Sequence, residues 1–323
     1  MHSSKTLEES WFLPKPIGTE PLPEIKLPIQ LRAILKRRGF IDSSLAAQWL
    51  EVPDPPRAEI HFNDLAKAIV RLERACRSNE LVVICGDYDA DGMTSTALLC
   101  NTLETLGAIA RPAIPSRQGD GYGLNTKMIR EIHDQGGKIL VTVDNGVSAK
   151  EALELAQILS IEVILTDHHS IPSDLPDVLA LLHPEKTPED SPYRYLAGVG
   201  LAYVLASSLG ESMGCKEAVE NSMDLFCIGT VADMVPLKGV NRIFLKKGLM
   251  NIHNSNCKGL VALQQVSGIP HRPLTSEDIG FKLAPRINAV GRLGDPKLVV
   301  ELLTTKKTDE AMMRFNDVIY ALP

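Results

Sequence analysis

Three acidic side chains at alternate positions, two adjacent histidines and two further aspartates are the residues of this chain whose types and spacing suit chemistry. The run GDYDADG carries Asp87, Asp89 and Asp91 and closes on Gly92; VDNG brings Asp144; TDHH brings His168 and His169 after Asp167; GTVAD ends on Asp233. Side chains two apart in a loop can converge on one centre. Four or five carboxylates gathered together repel one another and lose hydration, a cost that bound cations remove. Carboxylate oxygens joined by one or two imidazoles suit Mn2+ or Mg2+ better than a thiolate-seeking ion. A carboxylate such as Asp144 that bridges two ions would hold them about 3.5–4 Å apart, the separation at which a metal pair generates hydroxide and steadies charge on an attacked phosphate.

Each piece also has a plainer reading. Asp87-x-Asp89-x-Asp91-Gly92 matches the first half of a calcium-binding EF-hand loop, but the twelfth position, which needs a bidentate Glu, is Leu98. A lone Asp at a strand end ordinarily caps a helix or makes a turn; recurrence at three strand ends argues for more than capping. His168 and His169 read either as ligands or as a buried, hydrogen-bonded pair. Asp233 reads either as a ligand or as a carboxylate that satisfies backbone groups at a helix end. Arg117 precedes a glycine-rich run whose Gly121, Tyr122 and Gly123 either let a phosphate approach backbone amides or make a turn. Arg286, Asn288 and Arg292 fall in PRINAVGRL, where nucleic-acid contact competes with ordinary surface polarity at a helix end. Lys36, Arg37 and Arg38 read as a solvated helix end favoured by the dipole.

The elements that must position these residues are visible as periodicity. Short apolar runs at 81–85, 109–114, 138–143, 162–166 and 178–182 alternate with the helical patterns TSTALLCNTLETLG, NTKMIREIHDQG and SAKEALELAQILS. Continuous apolar strands separated by amphipathic helices predict an α/β fold, a parallel sheet covered on both faces. In such sheets ligands gather at the carboxyl ends of the strands, where the acidic motifs stand. Before residue 63 the chain is Pro-rich, with one helical stretch expected over about 31–50; after residue 197 the pattern turns helical to the end. The expected division is a lead-in segment at 1–62, a catalytic domain at 63–240 and a helical connector at 241–323.

Bulk properties limit the alternatives. The chain has 323 residues, of which 44% are hydrophobic and 23% charged, a composition of globular proteins rather than disordered ones. No apolar run approaches the roughly 20 residues of a membrane span, and MHSSKTLEESWFLPKP lacks a basic start followed by an apolar core, so a cytoplasmic protein is expected. Six cysteines without a C-x-x-C pair indicate reduced thiols rather than a disulfide framework or zinc knuckles. A net charge of -6 excludes indiscriminate coating of nucleic acid, so any strand-binding surface must concentrate its positive charge locally.

The order of these motifs resembles a known family. GDYDADG (86–92), VDNG (143–146), TDHH (166–169) and GTVADMVPL (229–237) are similar to motifs I to IV of the DHH superfamily of phosphoesterases, and GVGLAYVLA (198–206) and KLAPRINAVGRLGDP (282–296) resemble its RecJ branch. The resemblance runs from about Trp11 to about Thr305. It implies a hydrolase that degrades single-stranded DNA from the 5′ end in recombination and repair, with two divalent ions, Mn2+ ahead of Mg2+. Carried over, one ion falls to Asp91, Asp144, His168 and Asp233, and the other to Asp89 and Asp144. His169 would sit beside the scissile phosphate, as a catalytic residue with Asp144 and Arg117, and Arg117 with the Gly121–Gly123 loop would engage the strand. Cys85 stands where many relatives have a ligating His, and Asp87 is a further candidate. Relatives continue into a smaller substrate-binding domain. This chain is therefore expected to be a C-terminally truncated form whose second wall comes from a separate chain or is missing, with weak DNA binding. The competing readings are a phosphoesterase for short oligonucleotides or nucleotide phosphates, and a catalytically silent remnant.

Overall fold

Glycine and an aspartate cap decide the shape of the N-terminal region. In the computed structural model, residues 20–51, 53–115, 123–219 and 222–320 are described, with side chains to Arg314. They belong to two units, Met1–Asp54 and Pro55–Pro323. In the first, helix α1 (Ile29–Arg37) ends before Gly39, whose φ of +94° lies in the left-handed region, and α2 (Ser43–Leu50) restarts on the Asp42 side chain, which accepts from the Leu45 amide at 2.8 Å. The single helix expected over 31–50 is thus two helices. Leu22, Ile25, Leu35 and Ala46 form their small core.

The second unit follows the predicted alternation. Helix α3 (Leu65–Arg77) leads into β1 (Leu81–Gly86), α4 (Ala90–Thr105), β2 (Ile109–Ala113), α5 (Thr126–Asp134), β3 (Ile139–Val143), α6 (Lys150–Ile158), β4 (Glu162–Thr166) and β5 (Ala180–Leu182). The five strands are all parallel in the order β2-β1-β3-β4-β5. Because side chains alternate along a strand, Val82, Ile84, Ile139 and Val141 enter one core with α3 and α4, and Val83, Cys85, Leu140 and Leu165 enter another with α5 and α6. The sheet is covered on both faces, as the continuous apolar runs require.

Register does the rest. Gly86 pairs with Val143, and Val143 with Thr166. One step further along each strand brings Asp87, Asp144 and Asp167 side by side at the carboxyl edge. The strand order reverses between β1 and β3, the switch point at which parallel sheets open a crevice.

Helices α7 (Gly198–Ser212) and α8 (Ser222–Ala232) pack against α4, which is buried along nearly its whole length. Its hydroxyls are satisfied internally: Thr94, Ser95, Thr96 and Thr102 each donate to the carbonyl four residues back. After α9 (Gly239–Asn251) and α10 (Lys258–Val266), a single turn α11 (Ser276–Asp278) runs through a π-helical turn at Ile279–Leu283 into α12 (Ala284–Leu293), followed by α13 (Pro296–Thr304) and α14 (Thr308–Tyr320). This last group packs back on α4 and α8. Among the described residues no helix is long and apolar enough to cross a membrane.

Candidate metal centre

The motif after β1 is both a turn and a helix start. Asp89 caps α4, its Oδ1 accepting from the Gly92 amide at 3.0 Å, which leaves Asp91 in the first helical turn pointing inward. Two amides at the start of α7 meet Asp91: Gly198 N–H donates to its Oδ2 at 2.7 Å and Val199 N–H to its Oδ1 at 2.8 Å. A helix N-terminus thereby clamps the carboxylate. Gly198 has to be glycine, because a Cβ there would lie 2.5 Å from the Cβ of Asp144.

Asp144 occupies a left-handed backbone conformation, φ +61°, uncommon for any residue but glycine. Asn145 holds the turn. Its Nδ2 donates to the Cys85 carbonyl at 3.0 Å and the Val143 carbonyl at 2.9 Å, and its Oδ1 accepts from the Leu124 amide at 3.2 Å. From β4, His168 Nε2 approaches Asp144 Oδ1 at 2.9 Å, Asp233 Oδ2 at 3.7 Å and Asp91 Oδ2 at 3.8 Å. Asp233 arrives from the end of α8, its amide bonded to the Gly229 carbonyl at 2.9 Å.

Donor atoms thus gather into three overlapping groups: Asp91, His168 and Asp233; Asp144, His168 and His169; and Asp87, Asp89 and Asp144. Of the expected ligands, Asp89, Asp91, Asp144, His168 and Asp233 all lie in these groups, and Asp87 joins them. Cys85 lies in none of them. It is fully buried, its Sγ donates to Asn145 Oδ1 at 3.9 Å, and burial pushes its thiol up to about 12, so it stays protonated.

The cluster's electrostatics fit cations. Burial, then the neighbouring carboxylates, hold Asp91 and Asp144 well above the usual carboxylate range. Burial raises Asp233 to about 6 and Asp87 to about 7. Asp87 Oδ1 is moreover buried with no hydrogen-bond partner, an orphan acceptor that a bound cation would satisfy. Burial, helped by charge on His169, lowers His168 to about 4, so its imidazole is neutral near pH 7 and has a lone pair to give. Neighbouring ligands of an octahedral ion with bonds of about 2.1 Å lie about 3 Å apart, comparable with the 2.9–3.8 Å spread around His168.

His169 is placed differently. Its Nδ1 pairs with Asp167 Oδ1 at 2.7 Å, and that bond raises the imidazole above its ordinary value. Burial alone would raise Asp167, yet bonds from His169 and the Val147 amide hold it low. His183, fully buried, donates from Nε2 to the His169 carbonyl at 2.7 Å and accepts from the Glu185 amide at Nδ1, which fixes this turn.

Arg117, Gly121 and Tyr122 lie outside the described residues, whereas Gly123 is described with a left-handed φ of +65° against Asn145. Of the residues in PRINAVGRL, Asn288 reaches the centre directly, its Oδ1 accepting from the Ala90 amide at 2.7 Å. Arg286 turns its guanidinium to the Lys282 carbonyl, one turn back, and Arg292 is exposed. Sequence reasoning passed over the α7 amides, Asn145, His183 and the Asn288 cap. The glycine pair in GVG was the one available signal.

Comparison with known proteins agrees with this geometry. Residues 81–230 match the model of the DHH family, N-terminal domain. The single-stranded-DNA-specific exonuclease RecJ of Bacillus subtilis (strain 168) is 38% identical over 280 residues, covering 86% of this chain and 35% of that protein. A crystal structure of exonuclease RecJ bound to manganese superposes with a TM-score of 0.74 at 35% identity, over 82% of this chain and 67% of the other. RecJ from Thermus thermophilus in complex with Mg2+ gives 0.61 at 32% identity, over 83% of this chain and 35% of that one. The chain spans from about a third to about half the length of the curated relatives it matches.

Proposed function

Because the chain belongs to the DHH family and is homologous to RecJ exonucleases over most of its length, we propose that it hydrolyses phosphodiester bonds of single-stranded DNA, releasing nucleotides from the 5′ end. The observation that carries the reading is the sharing of Asp144 and His168 among three donor groups at one strand edge. That sharing is what two neighbouring divalent ions need.

In this reading Asp91, His168, Asp233 and Asp144 hold one ion, and Asp87, Asp89 and Asp144 the other, with Mn2+ ahead of Mg2+. Ions held there would supply a hydroxide at neutral pH and charge neutralisation on the phosphate. The chain's own groups do the positioning. The α7 amides fix Asp91, and the turn with a left-handed φ at Asp144 presents its carboxylate to His168. Asp167 keeps a proton on Nδ1 of His169 and favours its charged form, so Nε2 is the atom left to address the phosphate. Arg117, Gly121, Tyr122, Gly123, Asn288, Arg286 and Arg292 are the candidates for the strand itself. Residues 63–240 would form the catalytic domain, and 241–323 the helical connector.

The test is degradation of 5′-labelled and 3′-labelled single strands with Mn2+, beside Asp144→Asn. The expected result is metal-dependent release of mononucleotides from the 5′ end by the unaltered chain only. Equal inertness of both proteins, or equal turnover by both, would refute the reading.

A further inference from the structure

Four of the five strands deliver a polar residue to the same row at the carboxyl edge. Asp87 follows β1, Asp144 follows β3 and Asp167 follows β4; the pairing of Thr166 with Leu182 puts His183, the residue after β5, beside Asp167. Asp87 and Asp144 belong to the donor groups, and Asp167 pairs with His169. His183 is the member of the row to which the metal centre gives no task.

Its ring is 0% exposed and both nitrogens are committed. Nδ1 accepts from the Glu185 amide at 3.1 Å, capping the 3-10 turn at Pro184–Lys186, and Nε2 donates to the His169 carbonyl at 2.7 Å. One acceptor and one donor fix the imidazole as a single neutral tautomer. Capping a turn needs only a short side-chain oxygen, such as that of Ser or Asp. The second nitrogen, on the far side of a rigid ring, is what reaches the loop after β4. The base under it is firm. The Leu181 amide donates to Asp64 Oδ2 at 3.0 Å, tying β5 to the start of α3; Thr187 Oγ1 donates to the Pro184 carbonyl at 2.6 Å, and Arg194 to the Thr187 carbonyl at 3.1 Å.

His169 is thereby held at three points. Its amide donates to Asp167 Oδ1 at 3.1 Å, its Nδ1 pairs with the same oxygen, and its carbonyl accepts from His183. His168 is held by other groups: its amide by Asp167 at 2.8 Å and its Nε2 by Asp144 at 2.9 Å. Loss of the His183 bond therefore releases the peptide after His169 and leaves the fixings of His168 in place.

We infer, on the exonuclease reading above, that His183 is a positioning residue for the hydrolysis: through the His169 carbonyl it sets the angle at which the His169 imidazole meets the scissile phosphate, and it does so independently of the hold on the ions. Misplacing a reacting group by about 1 Å costs on the order of a hundredfold in rate.

The experiment compares the unaltered chain with His183→Leu, His183→Ser and His183→Gln, by kcat and KM on single-stranded DNA in Mn2+ and by the rise in Tm that Mn2+ produces. Leucine removes both bonds. Serine keeps an acceptor for the Glu185 amide and is too short to reach His169, whereas glutamine carries an amide N–H to about the reach of Nε2. The expected result is a kcat lower by on the order of a hundredfold in His183→Leu and His183→Ser, with KM within about twofold. His183→Gln should recover most of kcat, and the Mn2+-induced rise should be the same in all four proteins. All three variants should melt a few degrees lower than the unaltered chain, since each leaves a buried group without its partner. A merely structural role predicts that kcat follows Tm and that His183→Ser, which keeps the cap, is the more active of the polar pair; that result would overturn the assignment. A Mn2+-induced rise lost together with kcat would overturn it as well, by making His183 a support of the ligands. Should His183→Leu fail to fold, the contrast between His183→Ser and His183→Gln decides. Inactivity of the unaltered chain would sink the exonuclease reading and this assignment with it, whereas full activity in every variant would remove the assignment alone.

Discussion

Replacing Asp87 by Asn separates a carboxylate built to meet cations from one that merely holds a turn. Asp87 is 4% exposed, its Oδ1 has no hydrogen-bond partner, and burial raises it to about 7. An ordinary aspartate titrates near 3.9, so the shift is about three units, or about 4 kcal/mol of preference for the protonated form in the metal-free fold. The folded value lies above the unfolded one. As pH rises from about 4 the unfolded chain releases this proton first, so stability falls between about pH 4 and pH 7 and levels off above. Asparagine has no proton to lose. In a chelator at pH 8 the Asp87→Asn chain should be the more stable by up to about 4 kcal/mol, roughly 8 °C in Tm for a protein of this size, and the advantage should nearly vanish at pH 4. Mn2+ should narrow the gap, since a ligand at a hundred times its Kd stabilises by about 2.7 kcal/mol and the variant gains less from it. Thermal melts across pH 4–8 with chelator and with Mn2+ measure all of this. If Asp87→Asn were less stable than the unaltered chain at pH 8 in chelator, Asp87 would be a satisfied structural group and the reasoning from its orphan oxygen would be wrong.

Three other outcomes are expected. Gly198→Ala places a methyl 2.5 Å from the Asp144 Cβ; the fold should survive with a lowered Tm, and the Mn2+-induced rise in Tm should shrink sharply, so an undiminished rise would count against the α7 clamp. Asp167→Asn removes the group that raises His169, so the alkaline fall in hydrolysis should move to lower pH, and an unmoved pH–rate profile would remove His169 from the chemistry. Asp224, buried in the first turn of α8 at the opposite end from Asp233, is raised to about 6 by burial, partly offset by a bond with Ser255. Asp224→Asn should therefore raise stability above pH 6 by about 2–3 kcal/mol and by little at pH 4, with an unchanged response to Mn2+; equal melts at pH 4 and pH 8 would contradict it.

The strands and the acidic motifs were legible because both are local. Short continuous apolar runs located all five strands, all but β5 to within a residue, and the residues just past their ends supplied Asp87, Asp89, Asp91, Asp144 and His168. Partners distant in sequence were not legible. Asp91 is held by amides 107 and 108 positions away, and Ala90 by Asn288, 198 positions away; nothing in a periodicity reports such pairings. GVG read as the start of an apolar helix, without indication that its first glycine was required by the Asp144 side chain. Cys85 shows the limit from the other side. Its position in the motif made it a candidate ligand, but strand alternation turns it into the α5–α6 core, and it joins none of the donor groups. The break at Gly39 was missed because the apolar spacing on either side of it reads as one continuous helix.

The left-handed turn at Asp144 also governs which genetic changes the chain can absorb there. Only glycine and asparagine reach such a backbone at small cost; a β-branched replacement would disturb the β3 edge as well as remove the carboxylate. A descendant that had lost the activity but kept the fold would therefore be expected to carry Asn or Gly at 144, whereas Val or Ile there would mark a chain on its way to unfolding. A census of that one position across related chains would sort silent members from damaged ones.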